Sequence, residues 1–159
     1  MRQAVFRAQL ELEIEASAAR KRGEPEPVKR MIEFLRNIVR DPNSDESDTA
    51  RATRMLAMHL CNLIEMEPAE RVGPVVQEYL DIAESVRQRY LEATQDQDMR
   101  TRLLALRRTA EVAGEAMRLS EATRQAHPKL ITLYKLHREL RKKERQLIDE
   151  WRRTSIPKH

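Results

Sequence analysis

The stretch Ala50–Met66 constrains this chain most. Met55, Leu56, Met58, Leu60, Cys61, Leu63, Ile64 and Met66 leave almost no solvent face on a helix. Apolar groups on nearly every side of a helix mean that it packs on several sides at once. The expectation is a central core helix in an all-helical domain, with Leu60 and Leu63 fully buried. Asp45 and Asp48, just before it, are placed to cap its first turn and match its dipole. Glu67-Pro68 ends it.

Composition agrees with helices throughout. Charged residues make up 35% of the 159 positions and aromatics only 4%, with three glycines. A chain rich in Ala, Glu, Leu and Arg favours helix over sheet. This length suffices to bury a core without disulfides or metals. The lone Cys61 excludes an internal disulfide framework and points to a reducing, cytoplasmic compartment. No apolar run approaches a membrane span, and the N-terminal segment lacks the apolar core of a secretory signal.

Prolines at 25, 27, 42, 68, 74, 128 and 157 divide the rest into helical lengths. The first segment runs from about Arg2 to Arg22 and stops at Gly23. Its apolar residues fall on two arcs, Phe6, Leu10 and Ile14 on one and Val5, Leu12, Ala16 and Ala19 on the other. Leu10, Leu12 and Ile14 alternate with glutamates, a strand pattern, but the surrounding helix formers favour helix. Two arcs imply two packing partners, one of which is a candidate second subunit. Glu24–Pro27 is expected as a stiff linker, and Val28, Met31, Ile32, Leu35, Ile38 and Val39 then form an amphipathic stripe. A fourth helix runs from Val72 to about Glu92. Thr94 and Gln97 fit a capping box, so a break is expected there; the alternative is one rod from Pro74 to Ala126. The fifth helix carries Met99, Leu103, Leu106, Ala110, Ala113, Met117 and Ser120 at 4-3 spacing, a coiled-coil seam. Within it Leu103, Leu106, Ala110, Ala113 and Met117 are the candidate oligomer interface. His127-Pro128 breaks the chain again.

The sixth helix, Lys129 to about Arg153, has the stripe Leu133, Leu136, Leu140, Leu147 and Trp151. The last residues, Thr154 to His159, are expected to fray. From Pro128 onward there are ten Lys and Arg against four Asp and Glu, a balance of +6, while the remainder stands at −2. At 100° per residue, Arg138, Arg141, Lys142, Arg145, Arg152 and Arg153 gather opposite the stripe. Cations that neutralise phosphates release counterions and bind nucleic-acid backbone without reading bases. That makes these six the candidate nucleic-acid-binding residues, with double-stranded DNA as the expected ligand. The alternative is a solvated face laced with pairs such as Glu139–Lys143, diluted further by Asp149. Trp151 is expected to pack rather than to stack on a base.

Chemistry is sparse elsewhere. His59, His127, His137 and His159 form no metal-binding spacing. His59 is expected to be partly buried and bonded to a neighbour, Cys61 to be a buried structural thiol, and Glu11, Glu13 and Glu15 to be solvated. No phosphate-binding glycine loop, cofactor motif or metal set is present, so a non-enzyme is expected.

Arg40-Asp41-Pro42 followed by Arg51-Ala52-x-x-Met55-Leu56 resembles small helical proteins of phage packaging regions. Arg102-x-x-Ala105-Leu106, leading to an Ala-rich helix and a basic end, adds to the likeness. The family resembled is the small terminase subunit, and the likeness covers about Pro27 to Ala126. It implies a non-catalytic, ring-forming helical protein that delivers DNA to a motor in the host cytoplasm. The chain departs from many such proteins in lacking an N-terminal helix-turn-helix, and no functional residue carries over. The expected architecture is about six helices: a compact bundle over residues 1–95 and a longer antiparallel helical hairpin over residues 96–159. Two function classes follow, a nucleic-acid-binding homo-oligomeric assembly protein of viral DNA packaging, or a protein-interaction adaptor or structural subunit in a larger assembly.

Overall fold

The computed structural model describes residues 3–155. The fold is all-α, with seven α-helices among the described residues: α1 Gln3–Arg22, α2 Pro25–Arg40, α3 Glu46–Met66, α4 Val72–Val86, α5 Met99–Gly114, α6 Glu121–Ala126 and α7 Pro128–Ser155. A π-helical turn, Arg87–Glu92, extends α4, and a 3-10 turn, Glu115–Arg118, extends α5. Among the described residues no helix is long and apolar enough to cross a membrane.

α3 lies at the centre. The Asp45 carboxylate caps it by accepting the Asp48 N–H at 2.7 Å, satisfying an N–H that lacks an intrahelical partner. Leu56, Ala57, Leu60, Cys61, Leu63 and Ile64 are all buried. They share one apolar cluster with Val28, Met31, Ile32 and Leu35 of α2, Val76 and Tyr79 of α4, and Ala105 and Val112 of α5. Polar ties lock this packing. Tyr79 is fully buried and donates to the carbonyls of Val112 at 2.8 Å and Ala113 at 3.1 Å. Burial pushes the Tyr79 phenol up, so it stays a donor. Arg36 of α2 grips the Glu78 carboxylate of α4 with two bonds, at 2.5 and 2.7 Å, the forked geometry in which arginine pairs most strongly.

α5 and α7 pack as a hairpin. Leu103, Leu106 and Ala110 meet Leu140 and Leu147 in a second, smaller cluster. At one point the helices come unusually close: a Cβ on Gly114 would lie 2.7 Å from the His137 ring. That ring donates through Nδ1 to the Ala110 carbonyl at 2.9 Å, so a side chain at 114 would displace a hydrogen-bonded group. The main core does not stop at residue 95, because Ala105, Val112, Ala113, Leu130 and Leu133 belong to it.

Several local expectations are corrected. The linker expected at Glu24–Pro27 is already the first turn of α2, with Glu24 as N-cap and Pro25 beginning the helix, a position where a missing N–H costs nothing. Gly23, at φ 71°, makes the stop before it. The break near Thr94 is present, but Asp98 caps α5 by accepting the Thr101 N–H at 2.8 Å; the Thr94–Gln97 capping box does not form. The seam expected from Met99 to Ser120 ends at Gly114. Tighter 3-10 winding turns Met117 outward, to 56% exposure, and Ser120 caps the extra helix α6. Thr154 and Ser155 remain helical, and residues 156–159 of the expected frayed tail lie outside the described residues. Glu13 is not simply solvated, since its carboxylate lies 3.4 Å from His59 Nε2.

Candidate nucleic-acid interface

The six cations singled out on the last helix all lie on α7. Arg138, Lys142, Arg145, Arg152 and Arg153 are exposed and make no ion pair among the described residues. Arg141 differs. Its guanidinium lies 3.2 Å from the Glu144 carboxylate, which also holds Arg107 of α5 at 3.3 Å. One carboxylate thus sits between two guanidiniums and leaves a local excess of positive charge.

Arg107 carries the basic surface onto α5 and beyond. A recess of about 250 Å³ between α3 and α5 is lined by Arg51, Arg54, Arg107 and Arg108, with Ser47 and Leu104 among them. On the other side of Arg107, a groove lined by Leu103, Ile148, Trp151 and Arg152 leads onto α7. Arginines of α3, α5 and α7 thus form one band in which Arg107 links Arg51, Arg54 and Arg108 of the recess to Arg141, through Glu144, and to Arg152, across the groove. Leu104 and Trp151 are exposed along it at 47% and 38%. Trp151, expected to pack, shares this groove with Ile148 and keeps part of its surface exposed.

Of the acidic residues beside the band, Glu46, Glu111 and Glu144 are engaged by arginines, while Asp149 is exposed among the α7 cations without an ion pair among the described residues. Glu111 lies 3.8 Å from Arg54. Glu46 is held by Arg89 at 2.6 Å, by Arg108 at 3.5 Å and by the Tyr90 hydroxyl. Burial pushes the Glu46 carboxyl up, but the bonds from Tyr90 and Arg89 outweigh it and the net shift is downward. Burial and the neighbouring carboxylate push the Tyr90 phenol up to about 12. Arg108 also lies over the Tyr90 ring, 4.9 Å from its centre. These contacts fix Arg108 in place, whereas Arg51 at the mouth of the recess is exposed and unpaired among the described residues.

The candidate oligomer seam is occupied within the chain. Leu103, Leu106 and Ala110 are buried against α7, Ala113 lies in the main core, and Met117 alone of the five is exposed. Cys61 is buried and its thiol is pushed up by that burial, which keeps it protonated. Among the described residues no three His, Cys, Asp or Glu side chains are grouped to hold a metal ion.

No protein family, curated protein or solved structure matches the chain.

Charge counting along the sequence located the α7 end of the band and missed its α3 and α5 members. Arg51 and Arg54 are more than fifty positions from Arg107 and Arg108 and sit in a region whose overall balance is slightly negative. A local signal existed: both pairs are cations on helices whose buried faces are largely apolar.

Proposed function

We propose that this chain is a non-catalytic, self-associating assembly protein that binds the backbone of double-stranded DNA along its arginine band. The observation that carries this reading is the continuity of the band across three helices. Guanidiniums from α3, α5 and α7 offer a phosphate backbone several contacts on one rigid surface, and rigidity spares the ordering cost that flexible arms incur. Arginine suits the task because its planar fork matches phosphate oxygens. The resemblance to small terminase subunits supports a place in viral DNA packaging. Nothing in the band is shaped to read base edges, so binding is independent of sequence.

The test is a titration with two unrelated DNA duplexes over a range of salt. Four to six phosphate contacts give a log–log slope of about −4 to −5, equal for both duplexes. Replacing Arg51 and Arg54 by Glu, or Arg141 and Arg152 by Glu, should flatten the slope by about 2 in either case. An unmodified protein that shows no salt-sensitive binding at low ionic strength would exclude the reading. The adaptor alternative has one observation in its favour, the exposed apolar residues of α1, and predicts that these substitutions leave partner binding untouched.

A further inference from the structure

We propose that the outer face of α1 is a two-fold interface on which a second copy of this chain docks antiparallel, centred on Leu10. The proposal deepens the self-association reading above and rests on it. Phe6, Leu10 and Ile14 are 48%, 50% and 64% exposed. At spacings of four they line one stripe over two turns, and together they are half of the large apolar residues exposed among the described residues. Contiguous apolar surface of this kind marks an interaction site.

The stripe cannot be hidden by rolling the helix inward. The other face of α1 is already committed: Ala16 and Ala19 are buried, and Leu12 packs on the core. The Gln9 amide contacts the Met55 sulfur at 3.1 Å. Glu13 meets His59 on α3, and Glu15 lies 3.5 Å from Arg30 of α2. Any rotation that covered Ile14 would undo these contacts.

The stripe is complementary to itself. About a two-fold axis at Leu10, each Leu10 meets its own symmetry mate, and Phe6 of each copy meets Ile14 of the other. Charge selects this register. At 100° per residue, Arg7 and Glu11 lie on the same edge of the stripe. An antiparallel two-fold keeps that edge against itself, so Arg7 of one copy faces Glu11 of the other. At 1.5 Å per residue their offset along the axis is about 3 Å. Both side chains are exposed and unpaired among the described residues. A register centred on Ile14 would set Arg7 opposite Lys21 and Phe6 opposite Arg22, leaving Phe6 without an apolar mate. One centred on Leu12 would keep the two Glu11 side chains about 3 Å apart along the axis, as the Leu10 register also does, but would move Arg7 about 9 Å from Glu11 of the other copy. Only the Leu10 register joins apolar to apolar and cation to anion, and the contact is isologous, as a closed pair requires.

Three apolar residues a side make a small interface, below the roughly 1,200 Å² of a standard stable one. The pair should therefore be reversible and concentration-dependent. Sedimentation equilibrium of the full chain, from micromolar to hundreds of micromolar, is the experiment. The parent should pass from monomer to dimer, and Leu10→Glu should remain monomeric with unchanged helicity. Arg7→Glu and Glu11→Arg should each weaken the dimer, and the double exchange should restore it. Self-association that survives Leu10→Glu would place the interface elsewhere, overturning this proposal while leaving the broader reading intact. A parent that is monomeric throughout overturns both. Single exchanges that weaken the dimer without rescue by the double exchange would overturn the Leu10 register.

Discussion

α3 and α7 are the two longest helices among the described residues, and they are built for opposite surroundings. α3 buries residues on every side, including Thr49, Thr53, His59 and Asn62 between its leucines. α7 is longer yet buries only Leu130, Leu133, Leu140 and Leu147. More than half of its remaining positions are charged. An apolar stripe on one side makes a helix that closes an edge; apolar groups all round make one that other helices are built upon. The same leucine therefore matters differently in the two places.

Leu60→Ala on α3 should be the most damaging substitution, at about 2–5 kcal/mol, because lost transfer energy and an unrelaxed cavity add. Leu147→Ala on α7 should fall near the low end of that range. Leu147 borders an open cleft of about 450 Å³ together with Leu91, Arg102 and Lys143, and side chains at a cleft can relax into the space. Denaturant unfolding of both variants decides the matter. Equal losses would remove the distinction between a central and an edge helix.

Gly114→Ala tests where α7 locks onto α5. Alanine is worth about 1 kcal/mol over glycine inside a helix, so the substitution would stabilise an unobstructed position. Here the new methyl meets the His137 ring, and overpacking costs about 1–3 kcal/mol. The expected net result is a loss of stability, accompanied by faster hydrogen exchange at the α5–α7 contact. Pairing Gly114→Ala with His137→Ala should recover part of the loss. A stabilised single variant would show that the two helices separate here without penalty.

What the sequence makes legible follows the same contrast. The α3 core, the α7 stripe, the breaks at Gly23, Asp41-Pro42, Glu67-Pro68 and His127-Pro128, and the all-helical class are local properties of pattern and punctuation. The turn at Glu115–Arg118 escapes because a 4-3 repeat continues through it on paper, while the backbone tightens and swings Met117 outward. The arginine band escapes because Arg51 and Arg107 meet only once α3 packs on α5. Glu13 facing His59 is hidden likewise, since alternating glutamates read as solvated until α1 is laid against α3.

The burial of His59 gives the smallest effect. His59 is buried, and burial lowers its pKa from the ordinary 6.5, although Glu13 and Glu115 pull it upward and Arg118 adds to the lowering. The unfolded chain therefore binds a proton at His59 more readily than the folded one. Stability is fully present above the unfolded value of about 6.5 and is lost as pH falls through that value toward the lower folded one. The slope contributed by this single group cannot exceed about 1.4 kcal/mol per pH unit. Thermal unfolding between pH 7.5 and 5.5, above the range where ordinary carboxylates titrate, should show the decline, and His59→Gln should flatten it. Hydrogen exchange should place the early opening in α1, the facing turns of α3 and the Glu115–Arg118 turn, with α7 unaffected. If His59→Gln keeps the parent's pH dependence, the titrating group lies elsewhere.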